Sequence, residues 1–202
     1  MSAEPLLKTE YITDAEYIEM EMASDVKHEY FDGEIYAMAG ARGSHNTIAA
    51  NLTIRIGINI SGSPCAPYGS DQRVKIEETG MRTYPDLSIA WEPEFENEKQ
   101  LDLMNPIVIF EILSPRTAAY DRGEKFRHYR TIPSLNEYIL IEQNRPHIEQ
   151  FIKQEKGGWL MLEYDGLDRE LKLASVPCVL KLSEVYERIT FENAPLKADE
   201  QQ

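Results

Sequence analysis

The stretch PIVIFEILSPRT (residues 106–117) decides how the rest of the chain is read. From Ile107 to Leu113 it is dense in β-branched and apolar side chains, as expected of a central strand covered on both faces. One residue interrupts the run, Glu111. A carboxylate on such a strand is costly to bury unless it is paired, hydrogen-bonded or bound to a cation. Upstream lies YPDLSIAW (residues 84–91), where Leu87, Ile89 and Trp91 alternate with Asp86, Ser88 and Ala90 in the period of a second strand. Asp86 follows Pro85, where that strand opens onto an edge or cleft. Carboxylates on two adjacent strands make a candidate site for Mg²⁺, a hard cation that prefers oxygen ligands and retains waters. The same two residues also fit a structural role, capping a loop or pairing with an arginine.

Downstream, SPRTAAYDRGEKFRHYR (residues 114–130) leaves the strand through Ser114-Pro115 and enters a helix expected from about Asp121 to Arg130. Asp121 and Glu124 have capping-box spacing. Asp121, Lys125 and Tyr129 are spaced i, i+4, i+8 and share one face. If that helix packs over the sheet, Lys125 extends towards the two carboxylates, where it would orient a water or offset charge on a phosphate. The alternative is an exposed Asp121–Lys125 pair contributing about 0.3 kcal/mol.

Around this centre the remaining elements fall into place. Thr13 and Glu16 form a capping box for a first helix, DAEYIEMEMAS, and Asp32-Gly33 turns a hairpin in KHEYFDGEIYAMAG. Ile48, Leu52 and Ile56 give one buried stripe to a helix from about Ser44 to Ile60, after which Gly62 to Gly69 reads as a break. QRVKIE, TYPDLSIAW and PIVIFEIL read as three strands. EYILIEQ, HIEQFIKQ and GWLMLEY read as an antiparallel meander, and LSEVYERI as a short last helix. The order predicts an α/β or α+β domain around a mixed sheet.

The 202 residues suffice for one domain, expected over residues 9–192 between flexible ends at 1–8 and 193–202. Asp and Glu number 35 against 21 Lys and Arg, a net charge of −14, which argues against a surface that coats nucleic acid by neutralising phosphates. It leaves room for a local basic or metal-filled groove. Cys65 and Cys178 are too few for a disulfide scaffold, and His128 and His147 make no zinc spacing with them. No Gly-rich phosphate loop supports ATP or NAD. No stretch approaches the roughly 20 apolar residues of a membrane span, and no signal segment opens the chain, so a cytoplasmic protein is expected.

The ordered series YFDGEIYAMAG, SHNTIAANL, YPDLSIAW, IFEILSPRT, DRGEKFRHYR and EYILIE resembles a bacterial, cyanobacteria-rich family of restriction-endonuclease-like proteins in the PD-(D/E)XK nuclease superfamily. The resemblance covers roughly residues 9 to 190. It implies a restriction-endonuclease-like core with a mixed β-sheet flanked by helices, and a Mg²⁺-dependent endonuclease, with Mn²⁺ as substitute, acting on DNA as a homodimer. Pro85-Asp86 matches the family's Pro-Asp, making Asp86 the first metal ligand. Glu111 matches the acid on the next strand, the Ile112 carbonyl a further ligand, and Glu34 an early acid that arranges the metal or the lysine. The usual Glu-x-Lys is replaced by Glu111-Ile112-Leu113, and the lysine's role passes to Lys125 on the following helix. His45 and Tyr129 are supporting candidates, each with a packing role as its alternative. Arg122, Arg127 and Arg130 offer positive charge for a phosphate backbone, or solvated partners for nearby glutamates. The rival functions are a catalytically silent DNA-associated or protein-interaction module on the same fold, and a hydrolase of a small phosphorylated substrate.

Overall fold

Thr13 starts the first helix as its capping box predicts: its Oγ1 accepts the Glu16 N–H at 3.3 Å, and Glu16 Oε2 accepts the Thr13 N–H at 2.8 Å. In this computed structural model, which describes residues 11–38 and 40–191, the helix α1 runs Asp14–Ala23. The ends expected to be flexible, 1–8 and 193–202, lie outside the described residues. The hairpin follows as β1 (His28–Phe31) and β2 (Glu34–Ala37). Its turn needs two positive φ angles, 47° at Asp32 and 80° at Gly33. The Tyr11 ring lies on Gly33, where a Cβ would come within 2.2 Å of it, so only glycine fits.

Helix α2 (Gly43–Asn59) buries Ile48, Leu52 and Ile56. The segment expected to be a break beyond it contains a strand, β3 (Cys65–Gly69), which pairs with β6 (Leu87–Trp91) despite its Pro67 and Gly69. It forms the sheet's edge, where proline is tolerated within a strand. TYPDLSIAW, expected to be one strand, is divided. β4 (Arg73–Ile76) is followed by β5 (Met81–Thr83); the chain then bends through Tyr84-Pro85-Asp86 into β6. Pro85 has no N–H to donate, so the ladder stops there and the chain changes sheets. After β7 (Asp102–Leu103) comes the central strand β8 (Pro106–Leu113).

The helix after β8 begins earlier than expected and is irregular: α3 (Ala118–Tyr120), a π-helical turn Asp121–Lys125, and α4 (Phe126–Tyr129). Asp121 is therefore interior to the helix and caps nothing. The meander is as expected, with β9 (Glu137–Glu142), β10 (His147–Lys153) and β11 (Trp159–Asp165) each antiparallel to its neighbour. A small hairpin, β12 (Glu170–Lys172) with β13 (Val179–Lys181), and α5 (Leu182–Val185) close the described chain.

The fold is thus mixed α+β, with helices flanking a six-stranded sheet of order β11-β10-β9-β8-β6-β3 in which β8 and β9 are parallel. A second, five-stranded sheet has the order β2-β1-β5-β4-β7. Alternation along β8 sends Val108, Phe110 and Ile112 into one core with α2. Ile109 and Leu113 go into another, with Phe126, Tyr129 and residues of the second sheet. Glu111 has the parity of the second set, so its side chain faces α4. No helix among the described residues is long and apolar enough to cross a membrane.

The second sheet is joined to α1 by a buried ionic knot. Asp102, 1% exposed, accepts from Arg73 at 2.5 and 2.7 Å and lies 2.8 Å from Arg82. Arg82 also donates to Asp14 on α1 and to Glu96. Asp102→Ala removes the carboxylate that holds buried Arg73 and leaves Arg82 with Asp14 and Glu96 alone, and is expected to cost about 3 kcal/mol of stability. The check is urea unfolding, with a lower midpoint and an unchanged slope.

Candidate functional site

Glu111 and Asp86 meet where β6 and β8 part company. Leu87 is the first β6 residue paired to β8, opposite Phe110, so the Ile112 N–H on β8 has lost its ladder acceptor. Asp86 supplies one: its Oδ2 accepts the Ile112 N–H at 2.7 Å. A strand residue's N–H and C=O leave on the same edge, so the Ile112 carbonyl also faces the gap. On the other oxygen, Asp86 Oδ1 lies 3.2 Å from His45 Nε2 in the first turn of α2.

Lys125 comes down from the π-helical turn. Its Nζ is 2.9 Å from Glu111 Oε1, 3.0 Å from Glu29 Oε1 and 4.0 Å from Asp121 Oδ1, and the residue is only 5% exposed. The extra residue of a π-turn shifts the following side chains around the helix, and such turns recur at functional sites. Tyr129 donates to Glu111 Oε1 at 2.8 Å, and Thr83 donates to Glu29. Lys125, Glu111, Glu29 and Asp121 line a cavity of about 820 Å³, whose walls also include Asp86, His45, Ile112, Arg42 and Arg116.

The sequence-derived set is thus largely in one place: Asp86, Glu111, Ile112, Lys125, His45 and Tyr129 are in contact or line the same cavity. Glu34 is not among its lining residues; it sits opposite Phe31 at the turn end of the hairpin and accepts from Tyr36 at 2.5 Å. The acid that reaches Lys125 is Glu29, which sequence reasoning passed over. Its signal was present in KHEYF: His28 and Tyr30 are buried on one face, so Glu29 and Phe31 share the other. Of the three arginines, Arg122 is held by Glu142 and Glu149, Arg127 pairs with Glu124, and Arg130 lies over the Phe126 ring.

Charge in this pocket does not balance. Burial, reinforced by the Asp86 and Asp121 charges, pushes Glu111 up to about 8. Burial likewise raises Asp121. Burial alone would lower Lys125, but the Glu111 and Glu29 carboxylates outweigh it and hold the ammonium charged well above its ordinary range. A surplus of carboxylate over ammonium suits an added cation. Two carboxylates and a main-chain carbonyl are the oxygen donors that Mg²⁺ or Mn²⁺ favours. Among the described residues, however, no three His, Cys, Asp or Glu side chains converge on one point as metal ligands. Main chain and water would have to complete the coordination.

Comparison with known proteins finds relatives of the chain. The model of the Uma2 family, described as "Putative restriction endonuclease", matches residues 14–183. Two relatives from Synechocystis sp. are each 36% identical: the uncharacterized protein slr1290 over 87% of this chain and 92% of its own length, and sll1609 over 82% and 94%. A crystal structure described as "a putative nuclease" from Anabaena variabilis superposes with a TM-score of 0.70 at 17% identity, covering 87% of this chain and 97% of that one. At that identity the likeness is one of fold alone.

The raised Glu111 pKa has a thermodynamic sign. In the folded state Glu111 holds its proton to higher pH than in the unfolded chain, where it loses it near 4.5. Its contribution to stability is therefore full below about pH 4.5 and falls as pH rises through 8. Glu111→Gln cannot titrate, so its melting temperature relative to wild type is expected to rise between pH 5 and pH 8.5. Thermal melts followed by circular dichroism measure this; a difference that falls with pH would mean that the ionised Glu111–Lys125 pair dominates.

Proposed function

The chain belongs to the Uma2 family, and on that premise we propose that its buried lysine–carboxylate cluster hydrolyses phosphodiester bonds of DNA as a divalent-metal-dependent endonuclease. One observation carries this reading. Lys125, 5% exposed and bound by Glu29 and Glu111, stands at the floor of an open cavity beside Asp86. Glu111 there is pushed up to about 8. Perturbed groups that cost stability and face a cleft are the usual mark of a functional site.

In this reading Asp86, Glu111 and the Ile112 carbonyl would hold Mg²⁺, with Mn²⁺ as substitute. When bound, the cation supplies Lewis-acid stabilisation of charge on the phosphate. Lys125 orients the attacking water and offers a fixed positive charge to the oxyanion that develops. Tyr129 fixes the Glu111 carboxylate through Oε1, leaving Oε2 free of Lys125, and Glu29 with Thr83 keeps the ammonium in place. His45 steadies Asp86. Glu34 acts indirectly, through the Tyr36 hydroxyl on the cavity wall. A homodimer, carried over from the family resemblance, would set two such cavities along one nucleic acid.

The second reading is a catalytically silent DNA-associated or protein-interaction module. Its specific support is the lack of a three-side-chain ligand cluster among the described residues, together with the engagement of Glu111 by both Lys125 and Tyr129. Cleavage of supercoiled, linear and single-stranded DNA in Mg²⁺ and Mn²⁺ decides between them. Asp86→Asn, Glu111→Gln and Lys125→Met are each expected to lower the rate by about 100-fold or more. Titration calorimetry should also show Mn²⁺ binding lost in the two carboxylate variants. Cleavage that persists equally in all three overturns this site, and DNA binding with neither Mn²⁺ binding nor cleavage selects the silent module.

A further inference from the structure

The edge of a sheet presents main-chain donors and acceptors to any strand that can lie beside it, and folded chains blunt such edges. Three edges here are blunted: β3 carries Pro67, β7 has two residues and β2 has four. β11, the other edge of the six-stranded sheet, has none of these devices. Its seven residues, WLMLEYD, pair with β10 without a bulge. Leu160, Met161 and Leu162 are 47%, 44% and 38% exposed. Consecutive apolar side chains on both faces of a long open edge mark a surface that is used in association.

The phase of the ladder fixes which main-chain groups are open. At its two ends the Gln154 N–H donates to the Gly158 carbonyl, and the Gly166 N–H to the Pro146 carbonyl. Bonding alternates along an antiparallel pair, so the even-numbered residues of β11 face β10. Trp159, Met161, Glu163 and Asp165 turn their N–H and C=O outward. Met161 lies opposite Phe151, which with Trp159 packs on the Phe126 ring, so an apolar strip runs out to the open edge. The charge nearest the middle of the strand, Glu163, leans back over β10, 3.6 Å from His147 Nε2.

We propose that this edge is covered by β11 of a second copy, paired antiparallel about a two-fold axis at Met161. The strand is complementary to itself in that register. Met161 meets the partner's Met161, and Leu160 meets the partner's Leu162 on the other face, so the three exposed apolar side chains cover one another. Glu163 falls opposite the partner's Trp159. With the axis at Leu162, Met161 would face a glutamate; with the axis at Glu163, two like charges would face each other. With the axis at Leu160, Leu162 would face Gly158. Self-pairing of this kind joins the two six-stranded sheets into one. It supplies a contact for the homodimer of the phosphodiester reading, but it rests on β11 alone, three strands away from β8.

The test is sedimentation equilibrium of the full chain in chelator, without DNA. The wild type is expected at twice the chain mass at micromolar concentration. Leu162→Arg puts an unpaired guanidinium against the partner's Leu160. Met161→Pro removes an N–H that faces away from β10, a change an edge strand tolerates. Each is expected to weaken dimerisation about tenfold or more, with the far-ultraviolet circular dichroism of the wild type retained. Mild oxidation reads the register. Met161→Cys is expected to give a disulfide-linked dimer, since directly opposed Cα atoms lie about 5.5 Å apart. Leu160→Cys and Leu162→Cys, each offset by two residues from its own copy, are not, and the wild type, whose Cys65 and Cys178 are buried, is the control. A monomeric wild type overturns the proposal and leaves the edge to a strand of another protein. A dimer that both variants leave at full affinity, or cross-linking at Leu160→Cys or Leu162→Cys but not at Met161→Cys, overturns it as well. Because neither metal nor DNA is present, each of these failures leaves the nuclease reading standing. A β11-paired dimer that cleaves no DNA counts against the nuclease reading alone.

Discussion

A full positive charge almost without water is the constraint around which this molecule is organised. Lys125 can remain an ammonium at 5% exposure only because Glu29 and Glu111 stand within 3.0 Å of it. Those two acids come from different sheets, Glu29 from β1 and Glu111 from β8. The helix over them therefore pins the two sheets together at one point. Burial, reinforced by the excess of acid around that point, leaves Glu111 less easily ionised than an ordinary carboxylate.

Pro85 does complementary work. By ending the ladder between β6 and β8 it frees the Ile112 N–H, and Asp86 turns its carboxylate onto that group. One short segment thereby moves the chain from the five-stranded sheet to the six-stranded one and delivers an acid to the seam. Architecture and site share a cause.

The sequence made the core strand, the meander, the first two helices and the Asp86–Glu111–Lys125 grouping legible, because each rests on local period or on a residue out of character with its neighbours. Glu111 is conspicuous among apolar residues. Glu29 is not, since it sits among polar and aromatic neighbours in a short hairpin where Glu34 is as good a candidate. Only the packing of α4 against β1 distinguishes them. β3 was hidden by Pro67 and Gly69, which read as loop yet suit an edge strand. The π-helical turn left no mark in a spacing that fits an ordinary helix. The meaning of −14 also changed: several of those charges are spent around Lys125, and others in the Arg73–Asp102–Arg82 knot.

The parallel pairing of β8 with β9 has a bearing on how the chain assembles. Parallel neighbours cannot be joined by a tight turn, and here the crossover between them is the very segment that carries Lys125. Loop closure across that connection must precede burial of the lysine, while Glu29 waits far upstream in the chain. Neither sheet supplies both partners of Lys125 without the other, so the stability of the two is coupled through that one side chain.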